Sequence, residues 1–324
     1  MIDGYRIRLS GGGGRIPFEN RSDRLDELRL VLVLGCPRSG TTFLLRCLSR
    51  LPRTRAYAGI LIPDRLCHVV GAAADGDPRV DDILHAFRAV LWKTFVSGVT
   101  SRAYHARGAL ADPGSAATAF AVLTGRREVD LARHALVYKE PFMAFAAERL
   151  AAHFVGARIV HLVRDGRDCA DSLDRTYRAA LSDDVLRADG GLWRQMGSEL
   201  GVARRRGASV VPWWVAEGRE DEFLAAPRIE RYLWMWAECV KRARRAGAVA
   251  PGRYLELRYE GLCRDPASAA RSIEAFLGVE RSRRFRRAIG NARTTSVGIA
   301  RSGRESTPST GEADRLLREL GYHP

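Results

Sequence analysis

Residues 28 to 52 constrain this chain more than any other stretch. Leu28 to Leu34 is a short apolar run of the kind that makes a parallel strand buried on both faces. It ends in Gly35-Cys36-Pro37-Arg38-Ser39-Gly40-Thr41-Thr42, and a helical pattern follows through Phe43, Leu44, Leu45, Cys47, Leu48 and Leu51 until Pro52 stops it. A strand, a glycine-bounded loop and a helix form an anion cradle, because loop N–H groups and the helix N-terminus aim at one point. The Walker A loop shares Gly35 and Gly40 but requires lysine where Thr41 stands. That departure weakens the alternative reading, a P-loop kinase-like phosphotransferase. An arginine inside the loop, Arg38, and two hydroxyls, Thr41 and Thr42, suit a phosphosulfate end better than a Mg²⁺-triphosphate.

Three later strands end in polar clusters. Ala135 to Tyr138 runs into Lys139-Glu140-Pro141, and Ala157 to Val163 stops at Arg164-Asp165-Gly166-Arg167 with a helix from about Asp168. Arg253 to Leu257 stops at Arg258-Tyr259-Glu260, after which Asp265 and Pro266 open a helix that Gly278 closes. Strands alternating with helices imply a P-loop-like three-layer α/β fold with a central parallel sheet, its ligand crevice along the carboxyl edge. Residues 1–27, glycine-rich at Gly11 to Gly14, read as an N-terminal extension, and 28–324 as one domain. Residues 57 to 135 read as mostly helical. Residues 181–230, holding Trp193, Trp213 and Trp214, read as a helical lid over the substrate, and 291–324 as a closing segment.

Composition excludes several classes. The chain has 324 residues, 46% of them hydrophobic, enough for one large core. Its charge of +15 comes almost wholly from arginine, with only three lysines, and no clustered basic run points to nucleic acid. Six cysteines lie scattered without a C-x-x-C pair or metal-ligand spacing, which implies a reducing compartment and no metal. No apolar run reaches the roughly 18 residues of a membrane span, and the N-terminus lacks the order of a signal peptide. A soluble, cytoplasmic protein is expected.

Arg164 ends a strand and Ser172 lies eight residues on, early in the next helix, so both can reach one anion from two directions. Lys139 stands at another strand end in a chain that elsewhere uses arginine. Here the sequence resembles the PAPS-dependent sulfotransferases (PAPS, 3′-phosphoadenosine-5′-phosphosulfate). Pro37-Arg38-Ser39-Gly40-Thr41-Thr42 is similar to their 5′-phosphosulfate loop, [PKR]-[KR]-S-G-T-T. Arg164 and Ser172 match the pair that holds the 3′-phosphate, and Tyr259-Glu260 follows in the right order, so the likeness covers roughly residues 28 to 280. Lys139-Glu140-Pro141 resembles the K-[DEST]-P segment, seen also in tyrosylprotein sulfotransferases, whose lysine works near the sulfuryl group.

The resemblance implies sulfuryl transfer from PAPS to a hydroxyl, or second to it an amine, of a small-molecule, natural-product or carbohydrate acceptor, with adenosine 3′,5′-bisphosphate (PAP) released. Ser39, Gly40, Thr41 and Thr42 would bind the donor with Arg38. Phe43 falls where relatives stack an aromatic on the adenine, and Tyr259 where they approach its edge. Thr294 to Arg301 resembles the S-x-G-x-x-[RK] closing loop of bacterial members, with Ala300 where tryptophan is usual; its Arg301, or Arg304 in its place, would complete the 3′-phosphate site. In-line transfer needs charge stabilisation on equatorial and leaving oxygens, a role that suits Arg38 and Lys139 without a metal. The acceptor also needs a base. The glutamate pair of tyrosylprotein sulfotransferases and the histidine of cytosolic members are both missing, which leaves Glu140, Asp64 and His68.

Overall fold

Leu32, Val33, Leu136, Val137, Val160 and Leu162 are all fully buried. Side chains on both faces of these strands are out of water, so helices must cover both sides. The computed structural model describes residues 22–58, 64–97, 131–176, 181–187, 202–292, 295, 297–299 and 311–322. In chain order, the strands and α-helices are β1 (Arg29–Leu34), α1 (Thr41–Leu48), β2 (Thr54–Ala58), α2 (Asp64–Ala72), α3 (Pro78–Ser97), β3 (Ala135–Lys139), α4 (Ala147–His153), β4 (Arg158–Val163) and α5 (Gly166–Thr176). They continue as α6 (Asp183–Leu186), β5 (Ala203–Arg206), β6 (Ser209–Pro212), α7 (Glu220–Ala225), α8 (Arg228–Val249), β7 (Tyr254–Arg258), α9 (Tyr259–Arg264), α10 (Pro266–Leu277), α11 (Arg283–Ile289) and α12 (Glu312–Glu319).

The central sheet has five strands in the order β2-β3-β1-β4-β7, every pair parallel. Alternation sorts its side chains. Leu30, Leu32, Leu34, Leu136 and Tyr138 join one core cluster with α3, α4, α5, α8 and α12. Val31, Val33, Val137, Val160 and Leu162 join the other with α1, α10 and α11. Val33 is level with Lys139, and Val163 with Arg258, so the strands end together at one edge. The sheet is therefore a three-layer α/β arrangement with its polar clusters at the carboxyl edge.

β2 was not foreseen: its last two residues fall at the start of the stretch 57 to 135 read as mostly helical, which does hold α2 and α3. β2 is an edge strand in which only Arg55 and Tyr57 are buried, so it never shows the continuous apolar run of a central strand. The other four strands of the central sheet begin or end within one residue of expectation, α5 starts two residues early, at Gly166, and the stretch 181–230 that the sequence reads as helical contains the hairpin β5–β6 as well as helices. Ser22–Glu27 is a 3₁₀ helix that buries Leu25 in the core. Within 181–230, the described residues form α6, the antiparallel hairpin β5–β6, α7 and the start of α8; Trp193 lies outside them. No helix among the described residues is long and apolar enough to cross a membrane. All six cysteines are free thiols.

Arginine holds many of these elements together. Arg253 donates to the carbonyl of Ala151 (3.3 Å) in the last turn of α4 and to those of Phe154 (3.1 Å) and Ala157 (3.0 Å) just past it, tying the helix end to the start of β4. Arg231, 3% exposed, donates likewise to the carbonyls of Phe223 (3.1 Å), Leu224 (2.5 Å) and Leu181 (3.0 Å). A planar fork with five N–H donors can serve several carbonyls at once, which an ammonium cannot do in this geometry.

Candidate active site

The loop after β1 is built around Gly40. Its φ of 96° lies in the left-handed region, and a Cβ there would stand 2.7 Å from the Tyr259 ring, so only glycine fits. Gly40 is also the N-cap of α1 and supplies no side-chain cap, which leaves the first N–H groups of α1 as free donors at the carboxyl edge. Arg38 has φ 75°, a conformation that costs an ordinary residue about 1–2 kcal/mol. Ser39 is buried with its Oγ beneath the loop near Gly35. Thr41 is buried, Thr42 half-buried, and Phe43 half-buried against the α1 side of the core.

That turn at Arg38 directs its side chain to α5. Arg38 Nε donates to Ser172 Oγ at 2.9 Å, and Arg164 Nη1 donates to the Arg38 carbonyl at 3.0 Å. Three residues separated by up to 134 positions thus meet at one point. The Arg164 guanidinium lies 5.3 Å from the centre of the Tyr259 ring, and its Nη2 is 3.3 Å from Asp168 Oδ2. Trp236 Nε1 donates to the Arg164 carbonyl at 3.0 Å. Gly166 admits the same indole, since a Cβ there would approach it to 2.5 Å.

Lys139 and Glu140 leave the end of β3 toward different faces. Lys139 shares its side of the strand with Val137, the side covered by α1, and Arg164 shares that side with Val160 and Leu162. Glu140 turns to the other side, where its carboxylate accepts a hydrogen bond from the Tyr138 hydroxyl. Both are buried. The Glu140 side also holds His68, packed against Phe142 and Phe145 at 5.1 and 4.8 Å between ring centroids. Trp213 Nε1 donates to His68 Nδ1 at 3.1 Å. Burial, with Arg242 nearby, pulls the His68 imidazole down to about 3. Asp64 is the first residue of α2; its side chain, and Arg301 and Arg304 entirely, lie outside the described residues.

Sequence reasoning missed the carboxylates around Arg164. Asp168 Oδ2 accepts from the Gly298 N–H at 2.8 Å as well as facing Arg164. Glu260 accepts from the Asp165 N–H at 2.9 Å and from the Tyr322 hydroxyl at 2.8 Å. The only signal in the sequence was the i, i+4 spacing of Arg164 and Asp168, and nothing in it named Gly298 or Tyr322 as partners. Among the described residues, no group of three or more His, Cys, Asp and Glu side chains is arranged to hold a metal ion.

The cations, hydroxyls and uncapped helix donors at this edge could hold an elongated polyanion, with Arg164 and Ser172 at one end and Lys139 two strands away. Comparison with solved structures bears on the fold. The sulfotransferase domain of the Synechococcus PCC 7002 olefin synthase superposes with a TM-score of 0.52 at 16% identity, covering 91% of this chain and 95% of that one. The sulfotransferase domain from the curacin biosynthetic pathway gives 0.52 and 16%, with 91% and 98% covered. No curated protein matches the sequence. A family model described as the sulfotransferase family matches residues 31–283, most of the chain and every strand of the central sheet from Val31 onward. The chain belongs to the sulfotransferase family.

Proposed function

We propose that this sulfotransferase takes its sulfuryl group from PAPS and delivers it to a hydroxyl of a small-molecule, natural-product or carbohydrate acceptor, releasing PAP. One observation carries the reading: Arg38, Arg164 and Ser172 are joined by hydrogen bonds beside the uncapped N-terminus of α1. This donor set fits a ligand with an anionic group at each end. Arg164 and Ser172 take the 3′-phosphate. The α1 N–H groups and the Thr41 and Thr42 hydroxyls take the phosphosulfate, and Tyr259, packed against Gly40, borders the nucleotide.

The end of β3 separates two chambers in this reading. Lys139, on the α1 side, faces the donor and stabilises charge that develops on its oxygens during transfer. Glu140, on the α2 side, faces the acceptor and receives its proton. His68 is a poor choice for that task, because Nδ1 is engaged by Trp213 and a group held at about 3 has little driving force as a base near neutral pH. Asp64 is the alternative base, and Arg301 the further 3′-phosphate ligand, on sequence grounds alone. Phe43 would flank the adenine.

Retention on immobilised PAP, compared with ATP and DNA resins, tests the donor. Transfer of label from PAPS to a panel of hydroxyl and amine acceptors, with and without EDTA, tests the reaction. Selective retention on PAP and EDTA-resistant transfer are expected. Preference for ATP, or activity abolished by chelation and restored by Mg²⁺, would refute the reading in favour of a phosphotransferase. Glu140→Gln is expected to lower kcat while PAP binding persists.

A further inference from the structure

The R-D-G-R-D turn that carries Arg164 is tied to the C-terminal part of the chain at two points. At the first, Asp168 Oδ2 takes the Gly298 N–H at 2.8 Å and stands 3.3 Å from Arg164 Nη2. At the second, Glu260 joins the Asp165 N–H to the Tyr322 hydroxyl, at 2.9 and 2.8 Å. Asp168 is 2% exposed and Tyr322 6%, so neither tie is a surface contact that water could replace at no cost. Burial and the neighbouring Glu260 carboxylate push the Tyr322 hydroxyl upward, which keeps it a donor.

The orientation of Arg164 follows from these ties. Its Nη1 is aimed at the Arg38 carbonyl, its Nη2 at Asp168, and the Tyr259 ring lies against the guanidinium. A planar fork held in three directions keeps one pose. We infer that Asp168 is a positioning residue for Arg164, and that Gly298 and Tyr322 fasten the turn that carries both. The inference rests on the proposed role of Arg164 toward the 3′-phosphate.

Charge and geometry make opposite forecasts here, which makes the inference testable. Asp168 places a negative charge beside a site meant for an anion. If it served only to balance Arg164, neutralising it would strengthen binding of a phosphate. If it positions the fork, neutralising it weakens binding although the site becomes more positive.

Equilibrium titration of the full chain and of Asp168→Asn with PAP and with AMP reads this directly. Loss of one charge-assisted orienting contact is expected to weaken PAP by about tenfold and to leave AMP within about twofold. In turnover, KM for PAPS rises while kcat holds, because Lys139 is untouched. A parent protein that prefers PAP to AMP, with Asp168→Asn binding PAP as well or better, overturns the inference and leaves the proposed function standing. A parent that does not distinguish the two overturns the reading of Arg164 itself. Should Asp168→Asn fail to fold, Tyr322→Phe carries the test, since it removes only the hydroxyl of the second tie. The same selective loss for PAP is expected there, and full retention of the PAP preference overturns the inference.

Discussion

Arg38 Nε and Ser172 Oγ stand 2.9 Å apart, so the loop after β1 and the helix after β4 are linked by side chains before any nucleotide is considered. Removing the serine hydroxyl is expected to cost twice, in the fastening of Arg38 and in the 3′-phosphate contact. Ser172→Ala should therefore weaken PAP by roughly ten- to a hundred-fold, the equivalent of the about 1.5–3 kcal/mol of a hydrogen bond to a charged group, while AMP changes little. A double-mutant cycle on unfolding free energy with Arg38→Ala should give a coupling of roughly 0.5–1 kcal/mol, because the contact is solvent-exposed. Zero coupling together with an unchanged PAP affinity would remove Ser172 from the site.

Lys139 provides the test of chemistry as distinct from binding. Lys139→Ala is expected to lower kcat by on the order of 10²-fold, the usual loss of one transition-state donor, with a much smaller change in PAPS affinity. Lys139→Arg keeps the charge but replaces a compact ammonium with a fork at a buried position, and should fail to restore turnover. A pattern of lost affinity with intact kcat would make Lys139 a clamp on the donor.

Gly40 joins backbone geometry to the nucleotide wall. Gly40→Ala combines a φ of 96° with a Cβ 2.7 Å from the Tyr259 ring, and the ring cannot retreat without disturbing Arg164 above it. A loss of about 1–3 kcal/mol in unfolding free energy is expected, accompanied by loss of PAP binding. Chemical denaturation beside calorimetric titration checks both. A variant with parental stability would show that the loop can shift away from Tyr259.

His68 makes the fold sensitive to acid. The unfolded chain protonates this imidazole at its ordinary 6.5, whereas the folded chain does so only near 3. Between those values the unfolded state binds a proton that the folded state does not, so stability is complete above about 6.5 and falls as pH drops through that window. His161, also buried and held below its ordinary value by desolvation, adds to the same slope. His68→Gln, whose amide oxygen can still accept from Trp213, is expected to flatten the slope in melting temperature between pH 7 and about pH 4 without abolishing it. An unchanged slope would mean that His68 is solvated in the fold.

Much of this site was legible before the fold was known. The stretch from Leu28 to Pro52 announced itself because the local signals agreed, an apolar run, two glycines and a helical period, although α1 ends at Leu48 with Ser49 as its C-cap, ahead of the proline expected to stop it. Arg164 and Ser172 could be paired because they flank a single strand-to-helix turn. β2 was hidden, since an edge strand of Thr54–Ala58 with two buried side chains lacks the composition that marks its neighbours. The ties from Asp168 to Gly298 and from Glu260 to Tyr322 were hidden for a different reason. They span 130 and 62 residues, and a carboxylate's partner across such a distance is set by how whole layers pack, not by local pattern. The separation of Lys139 from Glu140 lay between these cases, because strand alternation foretold it but only the Tyr138 contact fixed its direction.

The carbonyl-capping arginines carry one more consequence, for behaviour in alkali. A protein that ends its helices with ammonium groups loses those fastenings as the pH approaches their ionisation near 10, whereas guanidinium keeps its proton beyond about 12. Here Arg253 and Arg231 hold the ends of α4 and α7, and three lysines are all the ammonium side chains in the sequence. Burial also delays the acids that would otherwise ionise first, with Cys47 and Tyr232 each pushed up to about 12. The arginine that first resembles an affinity for polyanions thus gives these helix ends fastenings that do not depend on ammonium groups.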